Sequence, residues 1–88
     1  MQVKFRKTFK QDLKGLKDGK ALKRIQKVVE EVELASTLSE IRNIKSLQGH
    51  ENFYRIRVGD YHVGLFVEGE TIAFVRVLHR KEVYRYFP

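Results

Sequence analysis

Residues 53–67 constrain the architecture more tightly than any other stretch of the chain. Tyr54-Arg55-Ile56-Arg57-Val58 alternates apolar and basic side chains, Gly59-Asp60 is a two-residue turn, and Tyr61-His62-Val63-Gly64-Leu65-Phe66-Val67 runs back. Alternation of period two marks a strand with one buried face, and a two-residue turn containing glycine joins two such runs into a hairpin. A turn of that length leaves the register no freedom. Val58 pairs with Tyr61, Arg57 with His62, Ile56 with Val63 and Arg55 with Gly64. Tyr54, Ile56, Val58, Tyr61, Val63 and Leu65 then share one face. Arg55, Arg57 and His62 share the other, and Gly64 is expected to leave open space beside Arg55.

The rest of the chain organises around this hairpin. Glu68-Gly69-Glu70 turns the chain again, and Thr71–Leu78 is apolar at nearly every position except Arg76, the pattern of an interior strand covered on both sides. Which face Arg76 takes depends on the length of the 68–70 loop. Met1–Phe5 alternates weakly, with Val3 and Phe5 on one side, and reads as a short strand. Phe9, Leu13 and Leu16 recur at helical spacing, as do Leu22, Ile25, Val29 and Val32, with Val28 at the edge of that stripe. Asp18 caps the second helix and Gly19 supplies the conformation of a tight connection, so the two form an antiparallel hairpin. Thr37-Leu38-Ser39-Glu40 matches a capping box and predicts a short helical turn over 38–42. Asn43–Gly49 leads out of it, partly extended, and 79–88 is a basic-aromatic tail. The expectation is one α+β domain spanning 1–88: an N-terminal strand, a helix hairpin and a three-stranded antiparallel meander, forming one mixed-order sheet packed on the helices.

Eighty-eight residues leave no room for a second core. The absence of cysteine removes disulfides, thiolate metal sites and cysteine nucleophiles, and suits a reducing cytoplasm. No apolar run reaches the ~20 residues of a membrane span, and no apolar signal core follows the charged start. Eighteen Lys and Arg against eleven Asp and Glu give a net charge of +7. A surface of this kind attracts polyanions, because neutralised phosphates release their counterions. Lysine-rich helices equally serve solubility, so the arginines of the C-terminal half carry the sharper information.

The face of Arg55, Arg57 and His62, joined by His79, Arg80 and Tyr84 from the tail, gathers phosphate-binding, titratable and stacking groups. RNA carries its own nucleophile, the 2′-hydroxyl. An enzyme cutting it supplies a base, an acid for the leaving 5′-oxygen, and cations around the phosphate. Tyrosine rings and arginine planes also stack on unpaired bases. Alternating arginines on a strand are also what a plain solvated face looks like. The three histidines share no metal-ligand spacing, no glycine-rich loop opens a helix, and the carboxylates form no catalytic pair. Glu51 and Glu82 flank the basic face as ordinary salt-bridge candidates.

Lys45-Ser46-Leu47-Gln48-Gly49, Tyr54-Arg55-Ile56-Arg57-Val58-Gly59-Asp60-Tyr61 and Val77-Leu78-His79-Arg80-Lys81-Glu82-Val83-Tyr84 resemble the RelE/ParE toxin superfamily, essentially end to end. The resemblance implies a toxin of a type II toxin–antitoxin pair. RelE-like members are ribosome-dependent endonucleases that cut messenger RNA in the A site without a metal or other cofactor, and a co-encoded antitoxin silences them. ParE-like members share the fold, poison DNA gyrase and lack the nuclease residues. On the RelE pattern, Arg55 and Arg57 contact the RNA backbone and one of them helps activate the 2′-hydroxyl. Arg80 stabilises the phosphate or the leaving group, and Tyr84 stacks on or orients the scissile nucleotide. Arginine, with a pKa above ~12, is better suited to charge stabilisation than to proton transfer. Lys45, His79 and Lys81 add to the RNA-binding set. After Gly-Asp-Tyr the family usually has arginine, and here it is His62. That replaces a permanent cation with a group titrating near ~6.5, which either weakens phosphate binding or supplies a proton-transfer group, with His79 the competing candidate. The partners implied are an antitoxin, the ribosome and mRNA. The alternatives are a ParE-like gyrase inhibitor and a non-catalytic ribosome- or RNA-binding relative.

Overall fold

The computed structural model describes residues 1–88, in the order β1 (Gln2–Phe5), α1 (Lys7–Gly15), α2 (Gly19–Leu34), a 3-10 turn (Leu38–Glu40), β2 (Ile44–Ser46), β3 (Phe53–Val58), β4 (Tyr61–Glu68), β5 (Thr71–His79) and α3 (Val83–Tyr86). The five strands form one sheet in the order β1-β5-β4-β3-β2, in which only the β1–β5 pair is parallel. The α+β architecture expected from the residue patterns is the one observed. The meander gains a strand, because Ile44–Ser46 pairs antiparallel with Tyr54–Ile56. The hairpin register is as the two-residue turn required, from Val58↔Tyr61 through Arg55↔Gly64.

Helices α1 and α2 cover one face of the sheet. Phe9, Ile25 and Val32 from the helices meet Ile56, Val58, Val63, Leu65, Ile72, Phe74 and Val77 in the main core. Phe5, Phe9 and Phe74 form a cluster of rings with centroids 5.2–5.8 Å apart. The Asp18 carboxylate accepts from the Lys20 and Ala21 amides at 3.1 Å, satisfying donors that the first turn of α2 leaves unpaired. Gly19 differs from expectation. It is the first residue of α2 and has no left-handed backbone, so residues 16–18 alone make the connection. The capping box forms, with Glu40 accepting from the Thr37 amide at 2.9 Å.

The edge of β5 explains Arg76. β1 runs beside β5 only as far as Phe5↔Phe74, and beyond it the β5 backbone would be unpaired. Polar groups of α1 seal that edge: Thr8 donates to the Val75 carbonyl at 2.6 Å, and Asp12 accepts from the Val77 amide at 2.9 Å. Asp12 also pairs with Arg76, through Nε at 2.7 Å and Nη2 at 3.2 Å. Leu65 pairs with Phe74 and Gly64 with Arg76, so Val75 is an extra, bulged residue. A bulge resets which side chains face which way, which is why loop length alone did not settle the orientation of Arg76.

Against the expectation of a single core, the opposite face of the sheet carries a second, smaller one of Leu47, Leu78, Val83 and Phe87, with Phe53 and Val75 packed against it, because the tail folds back over that face. Here the structure corrects the space beside Gly64. A Cβ built on Gly64 would lie 2.7 Å from two carbons of the Phe87 ring. The gap is filled by the tail, which folds back over the sheet as α3. No helix is long and apolar enough to cross a membrane.

Candidate functional site

The tail determines the site. Val83 and Phe87, one helical turn apart, are buried in the small core. Their spacing leaves Tyr84 between them, pointing outward and 65% exposed. The Arg55 Nε donates to the Tyr84 hydroxyl at 3.3 Å, and the Tyr84 ring stands edge-on to His62 with centroids 6.1 Å apart. Residues from β3, β4 and α3 thus converge on one spot. Lys45 lies opposite Arg55 in the sheet and is exposed. Arg57 lies opposite His62 at the open end of β3, also exposed.

His62 is the only buried polar or charged residue, at 7% exposure. Burial pushes its pKa below the ordinary 6.5, and the neighbouring Arg55 and Arg57 guanidinium groups push it the same way. Its Nδ1 is buried without a hydrogen-bond partner, so Nε2 is the nitrogen able to reach a ligand. A histidine kept neutral near pH 7 cannot replace the permanent charge of an arginine. It can accept a proton.

Arg80 follows β5 directly and lies against the β3–β4 turn. Its amide donates to the Asp60 carbonyl at 2.7 Å, while its guanidinium is solvent-exposed and 3.8 Å from the Asp60 carboxylate. So open a contact leaves Arg80 available to an anion. His79 does not join the basic face. It lies opposite Tyr61, whose ring meets it edge-on at 5.4 Å and belongs to the helix-side core, and its Nδ1 accepts from the Lys81 amide at 3.2 Å. Alternation along β5 puts Leu78, not His79, across from His62. Lys81 is exposed on the turn and bonds none of the other site residues through its side chain. Glu51 and Glu82 form no ion pairs; the two in the molecule are Arg76–Asp12 and Arg80–Asp60.

Residue patterns missed Asn43, Val83 and Phe87. Asn43 adopts a left-handed backbone (φ 61°), and its carbonyl accepts from the Arg57 amide at 3.2 Å and from Arg55 Nη1 at 3.5 Å, steering both arginines. Nothing in its type announces this. The four-residue spacing of Val83 and Phe87 was a usable signal, since it is the stripe of a helix turn.

Comparison with known proteins identifies the family and the fold. The family model for the ParE toxin of type II toxin–antitoxin systems matches residues 3–84. Toxin RelE3 of Methanocaldococcus jannaschii is 48% identical over the whole of both chains. The toxin-sized chain in the crystal structure of the RelB-RelE antitoxin-toxin complex from Methanococcus jannaschii superposes with a TM-score of 0.83 at 49% identity, over 98% of this chain and all of that one. The archaeal RelE-RelB complex from Pyrococcus horikoshii gives 0.72 at 23% identity over 93% of this chain and 97% of its own, a likeness of fold. The chain therefore belongs to the RelE/ParE superfamily and is a RelE-like toxin of a type II toxin–antitoxin system.

Proposed function

We propose that this toxin is a ribosome-dependent endoribonuclease that cuts mRNA in the A site by attack of the RNA's own 2′-hydroxyl. The observation that carries the reading is the convergence of Arg55, His62 and Tyr84 from three elements, with Arg55 bonded to the Tyr84 hydroxyl and His62 against the ring. Neutral His62 takes the 2′-hydroxyl proton through Nε2. The 2′-oxygen bonds to phosphorus and the bond to the 5′-oxygen breaks, leaving a 2′,3′-cyclic phosphate and a 5′-hydroxyl. The leaving oxygen takes its proton from solvent beside Arg80. Arg55, Arg57 and Arg80 hold the charge that develops on the phosphoryl oxygens, the role a metal ion plays in other nucleases, so the reaction needs no added metal. Tyr84 stacks on the exposed nucleotide, and Lys45 and Lys81 contact flanking phosphates. His79, turned to the other side of the sheet, is left with a structural role.

The partner we infer is a cognate antitoxin, since two of the solved structures that this chain resembles are complexes of RelE with RelB. Phe5, Phe9, Leu13, Ile25 and Val29 line an open groove of about 450 Å³ between α1 and α2, and such a groove suits the apolar side of an amphipathic segment. Acidic antitoxin residues would meet the basic face.

The test is cleavage of a defined mRNA on programmed ribosomes, with free RNA and excess chelator as controls. Cuts within the A-site codon, insensitive to chelator and absent on free RNA, are expected. Arg80→Ala should abolish them, and with them growth arrest. The ParE description of the family model favours a second reading, inhibition of DNA gyrase. Growth arrest that survives Arg80→Ala, with gyrase inhibited and no cuts, would replace the first reading by the second.

A further inference from the structure

Beside the sheet-face site lies a groove that shares only Arg57 with the reaction above. β2 begins at Ile44, opposite Ile56, so Arg57 and Val58, though paired with β4 on one side, extend beyond β2 on the other. The gap between this end of β3 and helix α2 is an open groove of about 260 Å³, with Val28 in its wall. Four cations line it: Arg24 and Lys27, one turn apart on α2, Arg42 just before β2, and Arg57. Glu31 is its one acid, and none of these five side chains forms an ion pair. Arg24 is exposed and forms no ion pair, and its guanidinium lies over the β3–β4 turn: a Cβ built on Gly59, a residue with φ +62°, would lie 2.7 Å from Arg24 Nη1.

We infer that the Arg24–Lys27–Arg42–Arg57 groove is a second phosphate site, which binds the backbone of single-stranded RNA next to the phosphate being cut. The inference rests on the nuclease reading, because Arg57 belongs to both places and joins them into one track. Unpaired cations facing one another across a groove repel, and a phosphodiester between them relieves that repulsion while releasing counterions. Guanidinium forks match phosphate oxygens in geometry as well as charge. An acidic peptide would use the same charges, but a bound peptide helix or strand also needs apolar anchor pockets. Those belong to the α1–α2 groove, whereas this lining is mainly charged.

The experiment is fluorescence anisotropy of a short, uncleavable 2′-O-methyl RNA strand, titrated with each protein over a range of salt. Single strands lose about 0.7 in the log–log salt slope for each phosphate contact removed. The double variant Arg24→Ala/Arg42→Ala should bind several-fold more weakly with a slope shallower by about 1.4, while keeping the thermal unfolding of the wild type. Glu31→Gln should tighten binding. Wild-type affinity and slope in the double variant, with binding still weakened by Arg55→Ala, would confine RNA to the sheet face and overturn the groove. The same would follow if the double variant lost affinity for polyglutamate and kept it for RNA, since the groove would then serve an acidic protein. Binding unaffected by Arg55→Ala would instead remove the nuclease reading underneath.

Discussion

The two faces of the sheet are built to different standards. On the helix side, Phe9, Ile25, Val32, Ile56, Leu65, Ile72 and Phe74 pack together as one core, none of them more than 1% exposed. On the other side, four buried residues pin a single turn of helix, and immediately beside them stand an exposed tyrosine, two arginines and a buried histidine with an unsatisfied nitrogen. The first face is about stability. The second spends a few buried side chains on positioning Tyr84 beside Arg55 and His62. A small sheet protein can thus carry a site without a deep pocket: one face holds the fold, and a short apolar clasp on the other holds the chemistry.

Breaking the first face should have the largest effect. Phe74→Ala removes a ring buried at the centre of the Phe5–Phe9–Phe74 cluster and should cost about 3–5 kcal/mol, against a typical total of about 5–15 for a domain. Chemical denaturation measures it, and a loss below about 1 kcal/mol would mean that the ring is not the keystone its packing suggests. Gly64→Ala strikes the second face. The added methyl meets the Phe87 ring, so the clasp must shift, at about 1–3 kcal/mol. Tyr84, three residues upstream, should move with it and slow cleavage by up to about a hundredfold. Cleavage at the wild-type rate by a stably folded Gly64→Ala protein would show that Phe87 does not position the tyrosine.

The smallest expected effect is the subtlest test of the second face. Burial and the two arginines lower the pKa of His62, so on acidification an unfolded chain takes up a proton near pH ~6.5 that the folded chain still refuses. More protons bound in the unfolded state means that stability falls as pH falls below about 6.5 and levels off once the folded histidine also protonates. The melting temperature should follow, and His62→Gln should flatten that part of the profile. Cleavage with His62 as base should persist below pH ~6.5 and fail only at the lowered value. An acid limb centred above 6.5 would point to another base.

These tests also mark where residue patterns stopped being informative. The hairpin register, the face shared by Arg55, Arg57 and His62, the Asp18 cap and the Thr37–Glu40 box were all legible, because each depends on residues near one another in the chain. The resemblance of the 54–61 and 77–84 segments to a toxin superfamily was legible for the same reason. The partner of Arg76, the filling of the Gly64 gap, the turning away of His79 and the low pKa of His62 were not. Asp12 meets Arg76 across sixty-four positions, Phe87 reaches back to Gly64, and a bulge at Val75 reorients β5. Local backbone preference and side-chain alternation are written residue by residue. Burial, electric field and the packing of one segment on another exist only once distant parts of the chain have met.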